Sequence, residues 1–319
     1  VQANTILGPG GDAGLFLVEG TEFALAVSVD CPNRYVGLDP YEGGKMTVAE
    51  AARNVACTGA VPLGITNCLN FGNPDRPEVF FQFREAVRGM SDACRAFDTP
   101  VTGGNVSLYN ESPNSAVDPT PTVGLVGLLD LVTNRVPSAF QKSGDLIAVF
   151  GTTAGHLGGS MYWLVVRDFL GGPPPPCDLV VERQLQRLLA AAAKERLLRS
   201  AHDCADGGLA VAIAEACIGA PYATATIGAG VHLEQPSTAS PEGLLYGEDG
   251  ARVVVSFDPG SAGRVRALAA EYGVPCTVVG SVAGPNAELR ITVGNQSFSW
   301  PTPLLRSTYM EAIPRRMSA

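Results

Sequence analysis

The sequence predicts two α/β halves joined near residue 140, and three observations carry that expectation. At 319 residues the chain exceeds what one hydrophobic core usually organises, so two domains of roughly 130 to 180 residues are expected. Segments of strand character alternate with segments of helical periodicity along the whole length. The alternation breaks over 134–144, where Pro137, Ser138 and Gly144 interrupt it. The reading is therefore a first domain at 1–140 and a second at 141–319.

In the first half, strands are expected at Gly14 to Val18 and Glu22 to Val29, the second apolar in the manner of half-buried strands. A helix is predicted from Lys45 to Thr58, with Val48, Ala52, Val55 and Ala56 on one face and Gly59 as its stop. A second, from Glu78 to Phe97, repeats Val79, Phe83, Ala86, Val87, Met90 and Cys94 at helical spacing. A short strand at Thr99 to Thr102, a glycine-bearing loop and an apolar strand from Thr122 to Val132 complete this half. In the second half, a strand at Asp145 to Phe150 precedes a helix near Gly159 to Phe169 and the stiff connector Gly171 to Pro176. Helices are then expected at Leu179 to Leu198, from about Leu209 through Cys217, and at Ala262 to Tyr272. Strands are expected at Ala251 to Phe257, Cys276 to Val282 and Glu288 to Val293.

Composition narrows the class. Apolar residues make up 46% and charged residues 17%, with 37 Gly and 24 Pro, which describes a compact, turn-rich chain. The net charge of -9 argues against nucleic acid as the main partner, while phosphates remain accessible through backbone amides and a cation. The eight cysteines show no Cys-x-x-Cys spacing, so neither zinc nor a disulfide framework is expected and a reducing cytoplasm is. No signal peptide or membrane-spanning run is seen. The chain begins at Val1 without Met, which reads as trimming or as a piece of something longer.

Two polar, glycine-bearing segments end strands in the first half: Ile65 to Pro74 and Thr102 to Asn110. In the second, Gly103 and Gly104 permit close backbone approach, and Asn105 and Ser107 place polar groups on one side of an extended segment. Ordinary turn chemistry is the competing reading. Two such ends in one domain suggest a shared site for phosphate and metal oxygens.

Five segments together carry a family resemblance over essentially the whole chain: Asp39-Pro40-Tyr41, Ala49 to Asn54, Cys68 to Pro74, Gly103 to Asn110 and His202 to Ala210. The sequence resembles the large-subunit family of phosphoribosylformylglycinamidine synthases, specifically its C-terminal half, within the aminoimidazole ribonucleotide synthetase superfamily. The resemblance implies an α+β fold: an N-terminal β-sheet/helix domain that forms a barrel-like interface with a partner copy, and a C-terminal α/β domain. It implies a C–N ligase of purine biosynthesis that uses ATP, Mg²⁺ and glutamine-derived ammonia on formylglycinamide ribonucleotide. The implied partners are the N-terminal half, a glutaminase subunit and a small bridging subunit.

Carried over by position, Asn67 and Gly104 match ATP-binding positions, Asn105 a Mg²⁺ ligand and Ser107 a contact to the ribonucleotide. The family usually has aspartate where Asn67 stands, and an amide brings no charge. Where the first half of the family carries a Ser-His-Asn-His-Pro-Ser segment with the catalytic histidine, this chain has Cys31 to Val36, and Val55 stands where sister enzymes have aspartate. No catalytic residue is therefore assigned, and the missing half is expected to supply one.

Other residues keep blander readings beside sharper ones. His202-Asp203 is read as structural rather than as a catalytic dyad. Asp206-Gly207-Gly208 could hold a phosphate or simply cap a helix. His156 is expected to be a solvated turn residue, His232 to lie on a strand surface, and Glu248-Asp249 to form either a substrate loop or a charged turn. Cys68 and Cys204 are expected to be packing residues.

Overall fold

The computed structural model describes residues 4–113, 115–221, 223, 225–234 and 239–318. The first unit is a six-stranded sheet of β1 (Thr5–Leu7), β2 (Gly14–Leu17), β3 (Ala24–Asp30), β4 (Val61–Asn70), β5 (Val101–Ser107) and β6 (Thr120–Leu129). Its order is β1-β2-β3-β6-β4-β5, antiparallel except for β4 and β5. One face carries α1 (Asn33–Leu38), α2 (Pro40–Cys57) and α3 (Pro77–Phe97). Val48, Ala52 and Val55 of α2 and Ala86, Met90 and Phe97 of α3 bury against Leu15, Ile65, Val123 and Leu125 of the strands.

Helix α2 begins five residues earlier than its apolar pattern suggests, at Pro40 rather than Lys45. Asp39 caps it, accepting from the amides of Tyr41 at 3.0 Å and Glu42 at 3.1 Å, and Pro40 occupies the first turn, where no amide is needed. Gly43-Gly44 obscures this start in the sequence, yet Gly44 serves packing: a Cβ there would lie 2.4 Å from the Ala86 carbonyl oxygen of α3.

The second unit is a seven-stranded sheet of β7 (Leu146–Phe150), β8 (Leu198–Asp203), β9 (Ile227–Leu233), β10 (Val253–Phe257), β11 (Cys276–Pro285), β12 (Glu288–Val293) and β13 (Gln296–Pro301). Its order is β13-β12-β9-β11-β7-β10-β8. The helices are α4 (Met161–Arg167), α5 (Leu179–Lys194), α6 (Gly208–Ile218), α7 (Pro241–Tyr246), α8 (Ala262–Glu271), α9 (Thr302–Met310) and α10 (Ala312–Met317). β10 is buried on both faces. Val254 joins a core with Leu209 and Ile213 of α6, while Val253, Val255 and Phe257 join another with Leu185 and Leu188 of α5 and Leu268 of α8. Ala56 and Cys57 of α2 enter the latter core, so it spans the two units.

Although helices and strands alternate along the chain, among the described residues only β4–β5 and β9–β12 pair in parallel. The fold is α+β, as the resemblance implies. The first sheet is open, ending at β1 and β5, and no closed barrel forms among the described residues. Elements without a sequence signal include β8, whose Leu-Arg-Ser-Ala-His-Asp run has too little apolar content to announce a strand, and the short helices α1, α7, α9 and α10.

A buried charge cluster joins the units. Arg53 of α2, 4% exposed, donates to both Asp203 carboxylate oxygens on β8 and to Glu182 on α5. Glu182 Oε1 also accepts the Ala251 amide at 2.7 Å. An ion deprived of water is tolerated only when paired and hydrogen-bonded, and Arg53 has that environment.

Candidate functional site

The Gly103-Gly104-Asn105 segment is not a loop. It continues β5, an edge strand, in register with β4: Thr66 opposes Gly103, Asn67 opposes Gly104, Cys68 opposes Asn105 and Asn70 opposes Ser107. The Ile65–Pro74 segment is likewise strand as far as Asn70. Two hydroxyls tie the edge down, Thr66 Oγ1 donating to the Gly103 carbonyl and Thr102 Oγ1 to that of Ile65, both at 3.1 Å. At the strand end, Asn110 Nδ2 donates to the Ser107 carbonyl at 2.8 Å and to that of Phe71 at 3.2 Å.

Strand parity divides the candidate residues between two faces. Asn105 and Ser107 share a face with Thr66, Cys68 and Asn70, and with Thr120 and Thr122 of β6. This is the face without helices. Asn105 Nδ2 donates to Ser107 Oγ at 2.9 Å, which leaves the Asn105 amide oxygen free to face outward. Asn67 lies on the opposite, helix-covered side, between buried Ile65 and Leu69. It comes together with Gly104 there: a Cβ on Gly104 would lie 2.1 Å from Asn67 Oδ1 and 2.6 Å from the Asn67 carbonyl oxygen. Only glycine permits this contact. Asn67–Gly104 and Asn105–Ser107 are thus two pairs on two sides of one strand edge.

Farther along the uncovered face the polar residues give way to Phe16, Leu25, Val27, Val29 and Val126, each at least 37% exposed. Among its strand residues the only titratable group is the Cys68 thiol. Cys68 is exposed rather than packed, with Asn70 Nδ2 at 3.5 Å and Asn105 Nδ2 at 3.9 Å from its sulfur. Cys204, by contrast, is buried, as expected, and burial pushes its thiol up to about 11.

The residues present fit a magnesium–phosphate group only in part. Asn105 offers one hard oxygen of the kind Mg²⁺ takes, and no group of three or more His, Cys, Asp or Glu among the described residues could hold a metal ion. Phosphate oxygens and waters, which Mg²⁺ usually keeps, would complete such a site.

The second glycine pair behaves differently. Glu248 Oε1 accepts from the amides of Met161 at 2.7 Å and Gly207 at 2.8 Å, and Oε2 accepts from the Tyr35 hydroxyl at 2.5 Å and Arg34 Nη2 at 3.1 Å. Asp249 takes the amides of Ala154, Gly155 and His156 at 2.9–3.1 Å. Burial raises the Glu248 carboxyl. For Asp249 burial acts the same way, but Arg252 and the amides outweigh it and hold the carboxyl below its usual range. These side chains occupy the donors a phosphate would need. The Asp206 side chain does not cap α6 either, because it pairs with Arg34 at 2.7 Å. Glu248-Asp249 is therefore neither a free substrate loop nor a solvated turn.

Arg34 stands within the segment aligned with the family's histidines, and it reaches Asp206, Glu248 and the Gly159 carbonyl of the second unit. Cys31 in the same segment is pushed up to about 11 by burial. His156 is not simply solvated: its Nδ1 lies 2.5 Å from Asp249 Oδ1. His202 sits between Asp12 at 2.5 Å and Glu215 at 3.1 Å, and it does not pair with Asp203. Burial lowers its pKa, but the two carboxylates outweigh that and hold it well above the usual histidine range. It bridges two carboxylates of the chain. His232 is an exposed residue of β9.

Residues 10–129 match the family described as AIR synthase related protein, N-terminal domain, and residues 142–291 its C-terminal domain. The chain belongs to the AIR synthase related protein family. It is 44% identical over 318 residues to phosphoribosylformylglycinamidine synthase subunit PurL of Moorella thermoacetica, covering 100% of this chain and 42% of that protein. It is 46% identical over 299 residues to the Chlorobaculum tepidum subunit, covering 91% of this chain and 39% of the relative. The chain thus spans about two fifths of the length of these relatives. Among solved structures, T. maritima PurL complexed with FGAR superposes with a TM-score of 0.79 at 22% identity, over 95% of this chain and 49% of that one. The HypE–HypF complex structure gives a TM-score of 0.63 at 17% identity, over 91% of this chain and 92% of that chain. These superpositions show the fold of this AIR synthase related chain.

Proposed function

We propose that this chain is the C-terminal half of a phosphoribosylformylglycinamidine synthase large subunit and supplies one wall of an ATP-dependent C–N ligase site in de novo purine biosynthesis. The observation that carries this reading is the uncovered sheet face. It places Asn105 and Ser107 at one end, apolar strands at the other, and no acid or base suited to proton transfer between them. Such a face holds reactants but needs a partner to cover it and to provide the proton-transfer group.

In this proposal Asn105 ligates Mg²⁺ and Ser107 contacts the ribonucleotide on the uncovered face, while Asn67 and Gly104 contact ATP around the β5 edge. When bound, the cation neutralises phosphate charge. The amide oxygen of formylglycinamide ribonucleotide takes the γ-phosphoryl group as its amide nitrogen releases a proton, giving an iminophosphate and ADP. Ammonia then adds at the carbon, and loss of phosphate and a proton gives formylglycinamidine ribonucleotide. Units 1–140 and 141–319 act as one rigid piece through Arg53. The names of the relatives support the reaction class, and the PurLQS structure from T. maritima, with a TM-score of 0.70, supports partner subunits. The partners proposed are the N-terminal half, a glutaminase subunit and a small bridging subunit, in the cytoplasm.

A second reading, a noncatalytic nucleotide-binding scaffold of the same assembly, is favoured by the lack of an acid or base suited to proton transfer on the face. Substituting the face in the assembled complex separates the two. Asn105→Ala and Ser107→Ala should each reduce ligase turnover about 100-fold if they contact transferring groups. Unchanged turnover with altered assembly would support the scaffold.

A further inference from the structure

At the end of the first sheet remote from Asn105 and Ser107, a cleft of about 640 Å³ opens between the start of β4, the end of β6 and the exposed side of α5. That volume lies within the range of small-molecule sites. Arg183, Arg187 and Lys194 of α5 line it from positions that helical periodicity puts on one face. Asp98 neutralises Arg183 at 2.6 Å. Arg187 and Lys194 have no ion-pair partner among the described residues, and the remaining carboxylate in the cleft is Asp130. Setting aside the Arg183–Asp98 pair, the lining has one cation in excess within a chain of net charge -9. Neighbouring Arg196 is already engaged, donating to Asn134 Oδ1 and Thr133 Oγ1, each at 2.9 Å.

Gln186, 5% exposed, borders the same cleft, and its Nε2, sealed from solvent, has no hydrogen-bond partner among the described residues. Leu131 and Tyr272 give the cleft an apolar and aromatic wall.

We propose that this cleft binds a small phosphate ester bearing a flat, apolar ring, of nucleoside-monophosphate size. Arg187 and Lys194 hold the phosphate, and the ring lies against Tyr272. The cleft lies at the opposite end of the sheet from Asn67, Gly104, Asn105 and Ser107 and does not depend on their assignment.

The test is a titration of the whole 319-residue chain with adenosine 5′-monophosphate, adenosine and inorganic phosphate, followed by calorimetry and by amide chemical shifts. The monophosphate should saturate and shift residues around Tyr272, and adenosine should bind at least tenfold more weakly. Arg187→Glu/Lys194→Glu should weaken monophosphate binding at least tenfold, and Arg187→Gln/Lys194→Gln by a smaller factor. Asn105→Ala should leave it unchanged. Both double variants alter exposed side chains, and their melting curves should match the parent. No shift in the cleft at millimolar monophosphate would overturn the proposal. So would unchanged affinity in both double variants, equal binding of adenosine, or saturation by an acidic peptide with the monophosphate silent.

Discussion

The two glycine pairs of this chain look alike in sequence and do opposite things. Gly103-Gly104 lies extended on a sheet edge, with space beside Gly103 and the Asn67 amide against Gly104. Gly207-Gly208 turns into α6 with φ of 82° and 69°, and the Gly207 amide is held by Glu248. One pair faces outward beside unused polar groups, whereas the other is sealed by carboxylates of the same chain. A glycine-rich, phosphate-like motif therefore signals close backbone approach, and the charges around it decide whether its outer side stays open.

The sealed side can be broken most severely at Arg53. Arg53→Met should cost about 3–5 kcal/mol of unfolding free energy, because Asp203 and Glu182 would remain buried and unpaired; urea unfolding measures this. Next in size, Glu248→Ala should cost about 1–3 kcal/mol by stranding the Met161 and Gly207 amides. It should also free those amides, so that added phosphate raises the melting temperature of this variant more than that of the parent.

The open side yields a smaller but sharper contrast. Gly104→Ala should lower the melting temperature by several degrees, since its Cβ would meet Asn67, whereas Gly103→Ala, which meets nothing within 4 Å, should change it little. Equal effects of the two would mean that the Asn67–Gly104 contact does not constrain the edge.

A further contrast concerns pH. Burial, acting against the Asn54 hydrogen bond, raises Asp30 from 3.8 to about 6. The folded state therefore holds a proton that the unfolded chain has released. This group's favourable contribution is present below about pH 4 and is lost as pH rises through about 6. Asp30→Asn should remove that part of the slope in unfolding free energy between those two values.

Much of this organisation was legible in the sequence because it depends on local patterns. Val79, Phe83, Ala86 and Met90 announce α3, and the all-apolar run Val253 to Val255 announces a strand buried on both faces. The shared side of Asn105 and Ser107 was legible through residue type and alternation. Their strand was not, because Gly-Gly-Asn disfavours one and only pairing with β4 reveals it. Parity alone also separates Asn67 from Cys68 and Asn70, a signal that extended indexing of β4 would have supplied. The partners of Arg34, Arg53 and His202 lie far along the chain and carry no local pattern, so the sealing of the second glycine pair appears only in three dimensions.

The central claim is that the open face holds reactants and that another polypeptide completes the chemistry. Its most direct measurement is ADP release dependent on formylglycinamide ribonucleotide and ammonia, for this chain alone and after addition of an equimolar N-terminal half. Background release from the chain alone and robust release on mixing, abolished by Asn105→Ala, are expected. Robust release by the isolated chain would contradict it.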